Sequence, residues 1–265
     1  MTISQALALP RLLVRQRRKL LRAILGFSET DLFLRAEREL TPEQTARYLA
    51  YIDRREQGEP IAYILGEASF YGRDFYVTPA VLIPRPETEE LIEDAKRLAP
   101  TRVLDLCTGS GILGITLQKE LSASVVAGDI SSEALRVARR NADRHRATIQ
   151  LIESDLFEHI EGAFDLIITN PPYIDAKVLP ELEVARYEPV LALDGGAGGL
   201  EIYQRIIPEA RSYLNDGGTL LMEIGYDQAK AITEMLTDNG YHAIRTRKDL
   251  AGFDRVVQAE YRRES

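Results

Sequence analysis

The sequence predicts a doubly wound, mostly parallel α/β sheet preceded by a small helical bundle, and three observations carry that prediction. From residue 102 onward, short β-branched runs alternate with amphipathic stretches, the pattern of a parallel sheet covered on both faces. Before about residue 57, apolar residues recur at three- and four-residue spacing instead. Between the two, Gly58, Gly66 and Gly72 punctuate short aromatic runs that read as a β-hairpin.

Taken in order, Ser4 to Gln57 reads as four or five short helices, with Leu12, Leu13, Gln16, Leu20 and Ile24, then Ala46, Leu49, Ala50 and Ile52, marking the inner faces. Thr41-Pro42-Glu43 is a helix start, with a capping hydroxyl, a proline in the first turn and an acid near the positive end of the dipole. The hairpin is centred on Gly72-Arg73, and Pro86 followed by acidic residues starts a helix to about Leu98. Strands follow at Arg102–Cys107, Ser124–Asp129, Thr148–Glu153, Phe164–Thr169 and Thr219–Ile224, then near Tyr241–Thr246 and Asp254–Tyr261. Helices are expected at Ile112–Leu121, Ser132–Arg144, Leu200–Leu214 and Asp227–Asn239. No internal repeat or low-complexity segment interrupts this order.

Bulk properties narrow the function classes. The net charge is −8 and no apolar run approaches the roughly 18 residues of a membrane span, so neither a phosphate-neutralising surface nor a membrane protein is expected. The single cysteine, Cys107, excludes an internal disulfide or a cysteine-rich zinc site, and the three histidines show no metal spacing. A cytoplasmic protein without a metal follows as the expectation. Residues 1–28 carry six basic side chains and no acidic one, which reads as a solvated helix face before a patch for an acidic partner or RNA.

Two stretches carry chemistry. At the end of the run Phe164–Thr169 stand Asn170-Pro171-Pro172-Tyr173, where ligands of open parallel sheets bind. Two prolines stiffen the segment and remove two donors, leaving the Asn170 side chain and the Pro171 carbonyl as acceptors beside the flat face of Tyr173. Such a set suits a planar amide or amino group; a proline-stiffened loop is the plainer reading. The second stretch is Asp105-Leu106-Cys107-Thr108-Gly109-Ser110-Gly111, a strand running into a glycine turn and a helix. Gly109, Gly111 and Gly114 alone would satisfy a dinucleotide fingerprint. Asp129 ends the next strand, where a carboxylate can accept both hydroxyls of a ribose. Ser154-Asp155-Leu156 ends the third; Asp155 suits either an adenine amino group, with Leu156 against the ring, or a helix cap.

The Asp105 strand with its Thr-Gly-Ser-Gly turn resembles the first motif of S-adenosylmethionine-dependent methyltransferases. Together with Asn170–Tyr173, with Pro84-Arg85-Pro86-Glu87-Thr88-Glu89, Tyr187-Glu188-Pro189, Glu223-Ile224-Gly225 and Lys248-Asp249-Leu250 with Arg255-Val256, it resembles the peptide chain release factor glutamine methyltransferases, the PrmC/HemK family. The resemblance covers about residues 58 to 261. It implies a Rossmann-like methyltransferase fold with residues 1–67 as a helical substrate-recognition domain, 68–84 as a hairpin linker and 85–265 as the methyltransferase domain. It also implies methyl transfer from S-adenosylmethionine, without a metal, to the side-chain amide of the Gly-Gly-Gln glutamine in class I release factors.

On that resemblance Asn170, Pro171, Pro172, Tyr173 and Leu82 would hold the glutamine. Asp105, Cys107, Thr108, Gly109, Ser110, Gly111, Asp129, Asp155, Leu156 and Asn170 would hold the cofactor. The family commonly has glycine where Cys107 stands, and the Asp105–Gly111 stretch is also similar to the enzymes that methylate a glutamine of a large-subunit ribosomal protein. A DNA adenine-N6 methyltransferase shares Asn-Pro-Pro-Tyr, but it needs a basic target-recognition region that the −8 charge does not supply, so no direct DNA binding is expected. A non-catalytic adaptor for the release factor would have no use for an intact cofactor turn.

Overall fold

The computed structural model describes residues 1–263, so the last two residues of the span 85–265 lie outside the described residues. The chain divides into two compact units, Met1–Glu67 and Ala68–Ser265. The first contains helices α1 (Ile3–Ala8), α2 (Val14–Leu25), α3 (Glu29–Leu34), α4 (Pro42–Glu56) and α5 (Ile61–Leu65). Thr2, Ser28 and Thr41 open α1, α3 and α4 with reciprocal capping boxes to Gln5, Asp31 and Gln44. Leu20, Leu21, Leu32, Tyr48, Ile52 and Ile64 form its core.

On α4 the buried stripe is only partly the expected one: Ile52 faces inward as expected, but Tyr48 joins it, while Ala46 and Ala50 are exposed. A tyrosine ring removes far more apolar area from water than an alanine methyl, provided its hydroxyl finds a partner. The Tyr48 hydroxyl donates to the Ala6 carbonyl at 3.0 Å. The basic residues near the start are mostly at the surface as a solvated face would have them, except Arg17, which is buried.

The second unit is built on a seven-stranded sheet. After a hairpin of β1 (Glu67–Phe70) and β2 (Arg73–Tyr76), the chain forms α6 (Glu89–Leu98), β3 (Arg102–Leu106), α7 (Ile112–Leu121), β4 (Ser124–Asp129), α8 (Ser132–His145), β5 (Ile149–Glu153) and β6 (Phe164–Thr169). It continues through α9 (Glu201–Ala210), β7 (Leu214–Glu223), α10 (Ala229–Asp238), β8 (Tyr241–Lys248) and β9 (Asp254–Tyr261). The order is β5-β4-β3-β6-β7-β9-β8, and β5 to β7 run parallel. Strand β9 is antiparallel to both β7 and β8. The sheet is therefore the doubly wound, mostly parallel one expected.

Alternation along the strands feeds two cores. Leu104, Leu106, Ile167, Leu220 and Met222 meet α9 and α10 through Tyr203, Ile206, Ile232 and Leu236. Val103, Leu166, Ile168 and Leu221 meet α6 and α7 on the opposite face, and Phe70 and Phe75 of the hairpin join that core. The hairpin turn uses left-handed backbone at both Tyr71 (φ +48°) and Gly72 (φ +70°), as a tight two-residue connection requires. Strand β7 starts at Leu214, earlier than the sequence pattern shows. Phe164 pairs with Leu214 before a register shift, so the polar Asn215–Gly218 stretch is carried inside the strand.

Strand β3 lies between β4 and β6, so the chain winds away from it in two directions and a crevice opens at the carboxyl ends of β3 and β6. The opposite ends are tied by Asp165. It accepts bonds from the Thr101 hydroxyl at 2.6 Å, the Thr101 and Arg102 amides at 3.0 Å, and the Asn215 side chain at 2.8 Å. These bonds, that of the Thr101 hydroxyl first, hold its carboxyl down at about 2. A depressed carboxyl adds stability that is complete above its ordinary value of 3.8 and is lost as pH falls through about 2. Urea titrations should therefore show stability falling more steeply between pH 4 and 2 in the parent than in Asp165→Asn; parallel curves would remove Asp165 from the account.

Candidate active site

A cavity of about 350 Å³ lies at the carboxyl ends of β3, β4 and β6. Its floor is the turn between β3 and α7, where Cys107, Thr108, Gly109 and Ser110 face the space. Gly109 (φ +57°) and Gly111 (φ +82°) take left-handed backbone, and a Cβ at Gly111 would also come within 2.9 Å of Ile115. Gly114 has a different reason: a Cβ there would meet Asp105 at 3.0 Å and Val125 at 3.1 Å, so its absence lets α7 sit tightly on the sheet.

Asp105 and Gly111, expected among the cofactor ligands, do not line the cavity. The Asp105 carboxylate lies beneath the turn, accepting from the Thr108 hydroxyl at 2.6 Å and the Gly114 amide at 2.9 Å. Burial pushes its carboxyl up to about 7 against the pull of those two bonds. A strand position two residues inside the sheet faces the core, which is why Asp105 shapes the turn from below. Cys107 is on the wall with φ +56°; burial first, and the Asp129 carboxylate second, raise its thiol pKa. The sulfur stays protonated and is no nucleophile.

Asp129 closes the other side of the turn. One of its oxygens accepts from the Gly109 amide at 2.8 Å and the other from the Ser131 amide at 2.9 Å. Burial raises its pKa, and those two bonds oppose the rise. Asp155 and Leu156 line the wall beyond it. The capping bonds here are made by Ser154, whose hydroxyl donates to the Leu156 carbonyl at 2.8 Å and accepts from the His159 amide at 3.0 Å. Asp155 is thus left to the cavity mouth, where Arg205 of α9 pairs with it at 2.9 Å.

The opposite wall comes from the ends of distant loops. Asn170 and Pro172 line it together with Leu82, Pro84, Arg85 and Thr88. The Asn170 Nδ2 donates to Thr88 Oγ1 at 3.2 Å, and the Thr88 hydroxyl donates to Glu223 at 2.6 Å. Glu188 is buried, taking the Ile83 amide at 3.0 Å and the Arg85 guanidinium at 2.6 Å. That carboxylate binds the segment around Leu82 to the one carrying Pro189 and Leu191, about a hundred residues away in sequence, and so frames the mouth. Asp249 accepts from the Ala251 and Phe253 amides and pairs with Arg255 at 3.0 Å, giving the Lys248–Leu250 stretch a role in holding that arginine.

Pro171 and Tyr173 do not line the cavity, although the Pro171 carbonyl was expected to accept from a bound amide and the Tyr173 ring to pack on it. The Tyr173 ring packs against the core beneath α9, and burial pushes its hydroxyl up to about 12. Its backbone is gripped instead. Gln228 donates to the Tyr173 carbonyl at 2.9 Å, and a Cβ at Gly195 or Gly199 would lie 2.7 Å from the Tyr173 Cα or 2.0 Å from its carbonyl oxygen. The ring goes inward because the chain must turn after two prolines, and the first side chain able to bury apolar area there is Tyr173. Sequence reasoning missed Thr88, Arg205, Gln228 and the glycines at 195 and 199. The visible signals were the glycine cluster and the Pro84–Glu89 stretch, which contains Thr88 without marking its role. Among the described residues, no three or more His, Cys, Asp or Glu side chains converge on a metal-sized site, and no helix is long and apolar enough to cross a membrane.

Comparison with known proteins follows this geometry. The methyltransferase small domain matches residues 87–186, and the PrmC N-terminal domain matches residues 12–66. The release factor glutamine methyltransferase of Geobacter sulfurreducens is 45% identical over 244 residues, 90% of this chain and 86% of that one. This chain belongs to that family. The corresponding protein of Neisseria gonorrhoeae is 39% identical over 98% of both chains. Among solved structures, a ribosomal protein methylase from Lactobacillus delbrueckii superposes with a TM-score of 0.54 at 27% identity, over 71% of this chain and 84% of its own. A methyltransferase from Pyrococcus furiosus, 20% identical with a TM-score of 0.56 over 83% of this chain and 98% of its own, shares the fold.

In this methyltransferase the grip on Tyr173 is testable without knowing the substrate. Gly198 (φ +64°) has nothing within 4 Å of an added Cβ, so Gly198→Ala carries backbone strain alone, about 1–2 kcal/mol. Gly199→Ala adds the collision with the Tyr173 carbonyl. Gly199→Ala should melt well below Gly198→Ala in calorimetry; equal melting temperatures would show that the Tyr173 backbone is not held by this contact.

Proposed function

We propose that this enzyme transfers the methyl group of S-adenosylmethionine to the side-chain amide nitrogen of the glutamine in the Gly-Gly-Gln motif of a class I release factor, in the cytoplasm. The observation that carries the reading is the Asn170 amide. Its nitrogen is tied back to Thr88, so Oδ1 is left as an acceptor on the wall of the cavity that the glycine turn floors.

The residues fit the cofactor. Each Asp129 oxygen spends one lone pair on a backbone amide and keeps a second, which suits the two hydroxyls of a ribose. Asp155 and Leu156 offer an acceptor and an apolar face for an adenine, and Thr108 to Ser110 suit the amino acid end. S-Adenosylmethionine supplies an electrophilic methyl group on a sulfonium. The chain's own work is to place a weak nucleophile: an amide nitrogen has a delocalised lone pair, so position and local charge must do most of the catalysis. Asn170 Oδ1, on the cavity wall, takes one hydrogen of the glutamine NH₂. That oxygen then faces the charge that grows on nitrogen, and the proton lost after transfer goes to water. Leu82 and Leu191 bound the amide plane, the part that Tyr173 gives up by packing inward. Residues 1–67, with their own core, hold the release factor.

Incubation with labelled S-adenosylmethionine and cell extract should label a release factor at that glutamine; label on a ribosomal protein alone would overturn the substrate. Asn170→Ala should slow single-turnover methyl transfer by about 10²–10³-fold with cofactor affinity nearly unchanged. A rate near the parent's would mean that Asn170 does not hold the acceptor. Asp129→Ala should weaken cofactor binding by on the order of 2–4 kcal/mol, since two ribose bonds are lost. Unchanged affinity in calorimetry would sink that assignment.

A further inference from the structure

We propose that Thr88 and Glu223 form a positioning relay that decides which end of the Asn170 amide faces the cavity, and thereby makes the enzyme selective for an acceptor that presents an NH₂ group. The proposal rests on the reading of Asn170 given above. The two ends of an asparagine amide have nearly the same shape, and a half-turn about the last side-chain bond exchanges an acceptor for a donor at no steric cost. With its NH₂ toward the cavity, Asn170 would set its own hydrogens against those of the target nitrogen. Something must therefore fix the polarity.

The hydrogen count along the relay fixes it. Thr88 is fully buried and has one hydroxyl hydrogen. An ionised carboxylate can only accept, so the contact of 2.6 Å to Glu223 consumes that hydrogen. Thr88 Oγ1 can then only accept from Asn170, and the group at 3.2 Å must be Nδ2. Oδ1 is turned outward as a consequence. Both ends of the relay are held: the Tyr203 hydroxyl donates to the Glu223 carbonyl at 2.7 Å, and the Thr88 amide donates to the Arg85 carbonyl at 3.2 Å. The Pro84–Glu89 and Glu223–Gly225 stretches thus meet at Asn170, which neither reaches in sequence.

The same count makes the polarity sensitive to pH. Glu223 is faced by Arg255 of β9, by Arg85 and Glu87 beside Thr88, and by the phenols of Tyr173 and Tyr203. Burial first raises its carboxyl to about 7; the Thr88 hydroxyl and Arg255 lower it. Above that value Glu223 accepts and Oδ1 faces out. Below it the protonated carboxyl donates to Thr88, whose hydrogen is freed toward Asn170, and the amide turns over. Methyl transfer should fall as pH drops through about 7.

Single-turnover methylation of release factor at saturating S-adenosylmethionine, from pH 6 to 9, tests this on the full chain. Thr88→Val keeps the shape and removes the hydroxyl. It should slow transfer about 10- to 100-fold and flatten the pH profile, with affinity for S-adenosylhomocysteine unchanged within twofold. Thr88→Ser should restore both the rate and the profile. Glu223→Gln, which cannot titrate, should also lose the limb near pH 7, and it stands in if Thr88→Val does not fold. A parent rate in Thr88→Val, a Thr88→Ser as slow as Thr88→Val, or a pH profile of Glu223→Gln that superimposes on the parent's would each overturn the relay. Asn170→Ala separates the two levels: if it is slow while Thr88→Val is fast, only the relay falls; if Asn170→Ala itself is fast, the pocket reading falls with it.

Discussion

The structure depends on how the backbone after β6 is held once it has left the sheet. Pro171 and Pro172 have no N–H to offer, so neither sheet nor helix can continue through them, and the segment must be fixed by other means. Gln228 grips the Tyr173 carbonyl at 2.9 Å, and the Ile174 amide pairs with the Leu193 carbonyl at 2.9 Å. The glycines at 195 and 199 bring a second loop to a distance that no side chain would permit. The Tyr173 ring anchors the far end in the core. The result is that Asn170 is carried on backbone fixed by contacts from two separate loops and a buried ring.

Buried carboxylates serve the same end elsewhere around the cavity. Asp105 draws Thr108 and Gly114 together under the turn, Asp129 holds Gly109 and Ser131, Glu188 joins Ile83 to Arg85, and Glu223 orders Thr88. Each takes hydrogens from backbone or hydroxyl groups that loops would otherwise leave unpaired. Isolated in the interior, a carboxylate is costly; surrounded by donors it becomes a way of fixing a loop that has no secondary structure. The four acids differ in consequence. Asp129 keeps lone pairs toward the cavity, whereas Asp105 and Glu223 are fully shielded, and burial raises their pKa values to about 7.

Asn141 extends this logic to the rest of the unit. From α8 it donates to the Ser110 carbonyl at 2.8 Å and the Tyr76 carbonyl at 2.9 Å, and it accepts from the Tyr76 amide at 2.7 Å. The hairpin and the glycine turn are thereby connected through one buried side chain. Phe75 packs on His145 of the same helix, with ring centroids 4.7 Å apart. The hairpin is in this way part of the wall behind the site.

The sequence by itself determined the periodic parts of the protein. Alternation of β-branched strands with amphipathic helices is a local record of which faces are buried, so the doubly wound sheet was legible, as were the glycine turn and the cavity positions of Asn170, Asp129 and Asp155 at strand ends. Tertiary structure decided what local pattern does not encode. Whether Asp105 looks into the cavity or beneath it, and whether Tyr173 stacks on a ligand or fills a core, depends on which neighbour offers more buried area once the sheet has closed. The partners of Asn170 show the limit most clearly. Thr88 and Glu223 lie 82 residues before it and 53 after it, and a hydrogen-bond direction set by one hydroxyl hydrogen exists only when all three side chains have been brought together out of water.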